Sequence, residues 1–225
     1  MTTLQEPSPI EQSRYYMVEQ QIRPWDVHDP RVLDLLLSIR REDYVPAAHR
    51  GLAFVDMELP IGQGQVMLAP RVEARLLQDL AIQPTDRILE IGAGTGFMAA
   101  LLASLGHSVL TLDIHQPLAD LARANLQANG VRNAEVRCAD GSKLAVEGQF
   151  DVIVLSGSVA TVPVALVEKL APGGRLGAIV GDDIVMRATF VTRGTDDPTQ
   201  LNTRQPWDTV APRLAGFPEA TRFTF

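Results

Sequence analysis

The sequence has a single cysteine, Cys138, and lacks any long apolar run. One cysteine excludes an internal disulfide, and the polar start, Met1 to Pro7, has neither the basic nor the apolar part of a secretory signal. The most apolar helix candidate, Phe97 to Leu105, is far shorter than the roughly 20 residues of a membrane span. We therefore expect a cytoplasmic protein with no membrane segment.

An excess of positive charge is also absent. The formal net charge is -7, from 20 Lys and Arg against 27 Asp and Glu. No overall field then draws the protein to nucleic acid or anionic lipid, so we expect neither as a partner. The four histidines lack metal-ligand spacing, so no metal site is predicted; they are His28, His49, His107 and His115.

The 225 residues, 46% hydrophobic and 21% charged, suit one globular domain with a sizeable core. From Asp86 onward, short β-branched runs alternate with amphipathic helices, which is typical of parallel strands joined by crossover helices. A turn-rich link at 194–198 indicates an antiparallel edge hairpin. We predict an α/β, Rossmann-like, doubly wound and mostly parallel sheet with that hairpin.

The chain before about Leu80 has a different character, with helical segments and the glycine-rich loop Gly62 to Gln65. We predict that residues 1–80 form a helical cap and substrate loop packed on the same domain. Residues 81–225 would then form the cofactor-binding part. The tail, Thr221 to Phe225, alternates polar and aromatic residues, which weakly favours a strand.

The stretch Arg87 to Phe97 runs from an apolar strand through an acid into a glycine-rich turn and an apolar helix. A dinucleotide fingerprint requires Gly or Ala where this chain has Phe97, which disfavours a pyrophosphate ligand. Glu90 followed by glycines at alternate positions is instead typical of S-adenosylmethionine enzymes. That cofactor carries an ammonium group, from which Glu90 can accept a hydrogen bond.

Two further acids follow the next two predicted strands. Asp113 is suited to accept from both ribose hydroxyls, and Asp140 from an adenine amine while a backbone N–H meets a ring nitrogen. The alternative for either residue is a cap on the following helix, where Asp is favoured. The predicted cofactor-binding residues are Glu90, Gly92, Ala93, Gly94, Gly96, Asp113, Ile114, Asp140 and Gly141.

Most of the chain resembles the protein-L-isoaspartate O-methyltransferase family. The phrases that carry the resemblance are Met17 to Arg23, Asp29 to Leu33, Arg41 to Pro46, the glycine-rich stretch and Pro172 to Leu176. The resemblance implies methyl transfer from S-adenosylmethionine to the abnormal carboxylate of L-isoaspartyl residues in damaged proteins. It also implies a substrate cleft at Ile61 to Gln65, between cap and sheet.

The substrate half departs from the family. The family's Thr-Ile-Ser is Val66-Met67-Leu68 here, so Leu68 stands at the position of its active-site serine, and Leu155-Ser156-Gly157-Ser158 replaces Thr-Ala-Ala. Gln65 and Arg71 are the candidate replacements for the lost hydroxyls, although Arg71 also fits a solvated arginine at a helix start. The catalytic candidates are therefore Gln65, Leu68 and Arg71.

Three functions remain open from the sequence. The first is isoaspartyl methyl transfer; the second is methylation of another carboxylate or a small molecule; the third is a binding or regulatory module without turnover. A monomer and a homodimer both fit.

Four further residues are expected in the core rather than in a site: Trp25, Cys138, Trp207 and Phe217.

Overall fold

The computed structural model describes residues 8–143, 146–182 and 185–219. Its α-helices are α1 (Pro9–Tyr16), α2 (Pro30–Ser38), α3 (Pro70–Leu80), α4 (Phe97–Leu105), α5 (Gln116–Ala128) and α6 (Val164–Glu168). A π-helical segment, Met17–Ile22, continues α1. The strands are β1 (Leu59–Gly62), β2 (Gln65–Met67), β3 (Arg87–Ile91), β4 (Ser108–Asp113), β5 (Ala134–Cys138), β6 (Phe150–Val159), β7 (Leu170–Gly181), β8 (Met186–Arg193) and β9 (Leu201–Asp208).

Seven strands form one sheet in the order β5-β4-β3-β6-β7-β8-β9. Strands β3 to β7 are parallel to one another, whereas β8 runs antiparallel to both of its neighbours. The predicted parallel sheet with an antiparallel edge hairpin is confirmed. The strand order reverses between β3 and β6, which puts a crevice at their carboxyl ends.

Strand β6 shows why this sheet is covered on both faces. Val152 and Val154 lie in an apolar cluster with the cap and helices α3 to α5. Ile153 and Leu155, which alternate with them, lie in a second cluster with α6. Side chains alternate across a strand, so a continuous apolar run is buried on both sides.

The N-terminal part shares its core with the sheet. Met17, Leu36 and Leu59 belong to the same apolar cluster as Leu102 of α4. The cap therefore packs directly on the helices, although the boundary near residue 80 stays a prediction.

The segment Gly62 to Gln65, predicted as a loop, is the tip of the β1–β2 hairpin. Gln63 and Gly64 both have positive φ, at 54° and 69°. Two-residue hairpin turns favour this mirror-image backbone because it matches the twist of the strands. The loop prediction is therefore confirmed for Gln63 and Gly64 and wrong for Gly62 and Gln65, which lie in the paired strands because glycine suits a tight hairpin turn as well as a longer loop.

Two of the four predicted core residues are wrong. Trp25 is 39% exposed, with its ring stacked against the Arg71 guanidinium at 4.1 Å. Cys138 is exposed because β5 is an edge strand. Trp207 is buried as predicted, and Phe217 is half-buried against the second cluster. The predicted tail strand at 221–225 lies outside the described residues.

Arg41 holds several parts of the N-terminal region together and contacts α4. Its guanidinium is buried, donates to the carbonyls of Ala53 (3.1 Å) and Leu68 (2.7 Å), and forms an ion pair with Glu73 of α3. It also lies 4.8 Å from the centre of the Phe97 ring. One charged group thus fixes the end of the β1–β2 hairpin, helix α3 and the start of α4 relative to one another.

We expect Arg41→Ala to lower the free energy of unfolding by about 3–5 kcal/mol, because Glu73 would remain buried without its counter-charge. Urea denaturation followed by circular dichroism would measure this. Arg40→Ala is the matched control, since the Arg40 side chain is 62% exposed and its ion pairs should contribute at most about 1 kcal/mol. Equal losses in the two variants would contradict this role for Arg41.

Candidate functional site

Glu90 lies near the carboxyl end of β3, at the crevice, and is completely buried. One carboxylate oxygen accepts from the Thr111 hydroxyl and the other from the Ser156 hydroxyl, each at 2.7 Å. Burial raises the pKa of the Glu90 carboxyl to about 7, and the two hydroxyls oppose that rise. Each oxygen keeps a further lone pair with which to accept from a ligand.

The turn after β3 brings the backbone to the crevice in a conformation that favours glycine. Gly92 has φ 97° and Gly96 has φ 85°, and α4 begins directly after Gly96. The N–H groups of Gly92 and Ala93 both donate to the Leu112 carbonyl, at 2.8 and 3.0 Å. The turn is therefore held to β4 by its own backbone, and a ligand would meet it mainly through close packing.

Asp113 ends β4 and links that strand to the glycine turn. Its carboxylate accepts from the N–H of Gly94 and from the N–H of His115, both at 2.9 Å. The alternative that Asp113 caps α5 is wrong, because His115 is the N-cap residue and makes no side-chain capping bond. The carboxylate orients the turn and has lone pairs left for hydroxyl donors.

Asp140 follows β5. One oxygen accepts from the Ser142 N–H (3.0 Å) and hydroxyl (2.6 Å), and the other pairs with Lys143 at 3.0 Å. The Ser142 hydrogen bond, with help from Lys143, lowers the pKa of this carboxyl. A turn rather than a helix follows at 141–143, so the capping alternative is also wrong for Asp140. Glu90 and Asp113 thus lie in two adjacent strands and Asp140 lies just beyond the end of the next, so the three acids follow consecutive strands as predicted.

A narrow cavity of about 30 Å³ lies among these residues. Gly92, Asp113, Ile114 and Gly141 line it, together with Gln65 from the tip of the β1–β2 hairpin. The structure thus brings Gln65 to the predicted cofactor residues. Residues near the C-terminal end close the cavity on another side, namely Leu214 and Ala215.

The other two catalytic candidates lie elsewhere. Leu68 is only 5% exposed, and its carbonyl accepts from Arg41, so its side chain does not line an open cleft. Arg71 lines a wider cavity of about 640 Å³, where it pairs with Asp56 at 2.7 Å. It is therefore not simply a solvated arginine. The structure does not bring Gln65 and Arg71 into one cavity.

Polar atoms of the wide cavity have hydrogen-bonding capacity to spare. Nε of Arg71 and Oδ1 of Asp56 are buried and have no protein partner within the described parts of the chain. Burial raises the pKa of Glu58, which lines the same cavity. A polar ligand entering beside Trp25 would find one free donor and one free acceptor.

Sequence reasoning missed the hydroxyl partners of Glu90. Thr111 is paired with Glu90 in the register of β3 and β4, and Ser156 follows Leu155, the β6 partner of Ile91. The available signal was a hydroxyl within each of two apolar strands. It becomes informative only once the strands are known to flank β3.

Among the described residues, no group of three or more His, Cys, Asp or Glu side chains is placed to hold a metal ion. None of the helices in the same parts of the chain is long and apolar enough to cross a bilayer.

Comparison with known proteins agrees with these features. The family model for protein-L-isoaspartate(D-aspartate) O-methyltransferase matches residues 12–207. A protein-L-isoaspartate O-methyltransferase of Koribacter versatilis is 40% identical over 181 residues, covering 80% of this chain and 81% of its own. The corresponding protein of Methanospirillum hungatei is 38% identical over 185 residues, covering 82% and 86%.

A crystal structure of a beta-aspartate methyltransferase from Plasmodium falciparum, in complex with S-adenosyl-L-homocysteine, has a similar fold. The TM-score is 0.77 at 19% identity, with 89% of this chain and 97% of that chain covered. The predicted Rossmann-like methyltransferase fold and the resemblance seen in the sequence are confirmed.

The buried Glu90 carboxyl should make stability depend on pH. Its pKa is about 7 in the folded chain against 4.5 ordinarily, so between these values the native state holds a proton that the unfolded state has lost. Stability should fall as pH rises through this window, by about 3 kcal/mol at 1.36 kcal/mol per pH unit. Glu90→Gln cannot ionise and should lack this part of the dependence.

Denaturant unfolding of both proteins from pH 4.5 to 8 would measure the difference. Glu147→Gln, a change at an exposed glutamate, is the control and should follow the parent chain. Parallel stability curves for the parent chain and Glu90→Gln would contradict a raised pKa at Glu90.

Proposed function

Because the chain belongs to the protein-L-isoaspartate O-methyltransferase family, we propose that it transfers a methyl group from S-adenosylmethionine to the carboxylate of L-isoaspartyl residues in damaged proteins. The observation that carries the proposal is the family match over 12–207. The acids on β3, β4 and β5 support the cofactor assignment, since each lies beside the crevice where a Rossmann-like sheet binds its ligand.

The polar residues in and around the narrow cavity fit S-adenosylmethionine, although only Asp113 of the three acids lines the cavity itself. Glu90 offers lone pairs to an ammonium group, and Asp113 offers them to ribose hydroxyls. Asp140 and Gly141 lie at the next strand end, where an adenine would follow. Bound there, the cofactor would supply an activated methyl group on a sulfonium sulfur. The space does not fit, because about 30 Å³ is far below the roughly 300 Å³ or more of a small-molecule site.

Methyl transfer to the acceptor does not require acid–base catalysis. An isoaspartyl carboxylate is already ionised near neutral pH, so it needs no general base. Rate would then come from alignment of the carboxylate oxygen with the methyl group. Two groups in separate cavities are proposed to hold the acceptor: Gln65, which lines the narrow cavity, or Arg71, which offers its free Nε in the wide cavity. Leu68 would contribute only shape.

A second candidate keeps the cofactor and changes the acceptor to another carboxylate or a small molecule. Its support is the apolar Val66-Met67-Leu68 segment, in which Leu68 is buried and offers no hydroxyl. Losing one hydrogen bond to a charged group costs roughly 1.5–3 kcal/mol, about ten- to a hundredfold in binding. That loss is large enough to redirect specificity.

A third candidate is a binding or regulatory module that has the fold without turnover. Its support is the small size of the narrow cavity. We further propose a cytoplasmic protein, a monomer or homodimer, that does not bind nucleic acid. The net charge of -7 and the single cysteine support that proposal.

Asp113→Ala should weaken S-adenosylmethionine binding at least tenfold, because two ribose hydroxyls would lose their acceptor and the Gly94 N–H its partner. Isothermal titration calorimetry would measure the dissociation constant. Asp120→Ala, at an exposed residue of α5, is the matched control and should bind like the parent chain. Unchanged affinity in Asp113→Ala would show that this carboxylate does not hold the ribose.

The proposed activity is tested with radiolabelled S-adenosylmethionine and an isoaspartyl peptide, with the matching aspartyl peptide as control. We expect base-labile methyl ester on the isoaspartyl peptide alone, and none with Asp113→Ala. Transfer to neither peptide by a chain that binds the cofactor would reject isoaspartate as the acceptor and favour one of the other two candidates.

A further inference from the structure

Residues 211–217, here named the closing segment, run across the carboxyl ends of the central strands. The segment is joined to Ser158 of β6 by four hydrogen bonds, one of which Arg213 Nη1 donates to the Ser158 hydroxyl oxygen at 3.5 Å. The Ser158 N–H donates to Pro212 (2.8 Å), its carbonyl accepts from Leu214 (2.9 Å), and its hydroxyl donates to the Ala211 carbonyl (2.7 Å). This attachment adds a single parallel bridge to the sheet, between Ser158 and Arg213.

Leu214 occupies the space between two glycines of the crevice. A Cβ atom placed on Gly92 would lie 2.9 Å from Leu214 Cδ2, and one placed on Gly157 would lie 2.8 Å from Leu214 Cγ. Both distances are shorter than a real carbon contact allows. The Leu214 side chain therefore fits in this position only because residues 92 and 157 are both glycine.

Leu214 lies next to residues that are close in the chain to Glu90 or to its donor Ser156. Ser156, which donates to Glu90, lies between Gly157 and the glycine turn: its carbonyl is 3.4 Å from the same Gly92 Cβ position. Glu90 itself has no exposed surface. The carboxylate that is proposed to accept from the cofactor's ammonium group is thus closed to a ligand in this conformation, in which Leu214 fills the space beside Gly92 and Gly157.

The segment then continues toward Asp140, where the adenine of the cofactor is proposed to lie. Ala215 lines the narrow cavity together with Asp113, and a Cβ on Gly216 would lie 2.6 Å from Asp140 Oδ1 and 3.4 Å from Ile114. Five residues predicted to bind cofactor, at or just beyond the carboxyl ends of β3, β4 and β5, are therefore approached by one stretch of chain: Gly92, Asp113, Ile114, Asp140 and Gly141. The narrow cavity that remains has a volume of about 30 Å³, which is the volume that one water molecule occupies in liquid water.

From this geometry we propose that the closing segment occupies the cofactor's place and is displaced when S-adenosylmethionine binds. The proposal rests on the proposed function for the identity of the ligand. The chain then exists in a closed form, with Leu214 seated on Gly92 and Gly157, and an open form that binds. Only the open fraction is competent, so closure weakens the apparent affinity by the inverse of that fraction.

The first test is calorimetric titration of the full chain with S-adenosylmethionine. Leu214→Ala removes most of the side chain that seats the segment, and should lower the dissociation constant about tenfold while lowering the melting temperature of the cofactor-free protein. Val210→Ala is the matched control, since Val210 is exposed and lies just before the segment. It should leave both quantities unchanged.

The second test reads the position of the segment without activity. Trypsin cleavage after Arg213 would release a fragment that begins at Leu214 and ends at Arg222 or Phe225, and mass spectrometry detects it. Cleavage of the parent chain should be slow and should speed up when S-adenosylmethionine is added. Gly157→Ala, whose methyl group would displace Leu214, should speed up cleavage without any cofactor and guards against a folding defect specific to Leu214→Ala.

The outcomes separate this proposal from the proposed function. Cofactor that protects Arg213 from trypsin, with equal affinity in Leu214→Ala and the parent chain, would overturn displacement and leave the cofactor assignment intact. No binding by either protein would overturn both. Tighter binding by Leu214→Ala together with faster cleavage supports displacement, even where the isoaspartyl peptide is not methylated and the acceptor proposal fails.

Discussion

The burial of a carboxylate in the middle of a parallel sheet is the constraint on which the site depends. Glu90 has no exposed surface, so each of its oxygens needs a donor from a neighbouring strand. Thr111 on β4 and Ser156 on β6 supply one hydroxyl each. The same stretch of β6 continues through Gly157, which makes room for Leu214, to Ser158, which holds the closing segment. The hydrogen bonding of Glu90 and the closure of the crevice therefore depend on consecutive residues of β6, 156–158.

A second buried charge, the Arg41 guanidinium, connects the N-terminal part of the chain to the glycine turn. Arg41 holds the Leu68 carbonyl and Glu73 while lying over the ring of Phe97, which follows the glycine turn. The hairpin before Leu68 reaches the same turn from its other side, with Ile61 Cδ1 3.2 Å from the Cβ position of Gly94. The hairpin that carries Gln65 is thus fixed at both ends. Replacing hydroxyls by apolar groups at 66–68 changes what the loop offers a substrate without loosening it.

The sequence predicted the features that rest on local pattern. Strand periodicity gave the sheet, and acids after consecutive strands gave Glu90, Asp113 and Asp140 at one edge, because parallel strands end together. Prediction from the sequence failed where the environment of a residue is set by a part of the chain that is distant in sequence. Cys138 is exposed because β5 has no outer neighbour, and Leu214 meets Gly92 across more than a hundred residues without any periodic signal. Trp25 is exposed because its partner is a guanidinium rather than the core.

The closing segment also relates the two cavities to each other. Val210 lines the wide cavity with Arg71, and Leu214 lines the narrow one with Asp113. Four residues of extended chain span at most about 14 Å, so one short stretch of chain connects the wall of one cavity to the wall of the other. If the closing segment is displaced as proposed, Val210 is the residue of the wide cavity next to the part that moves. Binding of the cofactor and of an acceptor beside Arg71 would then be coupled through this stretch.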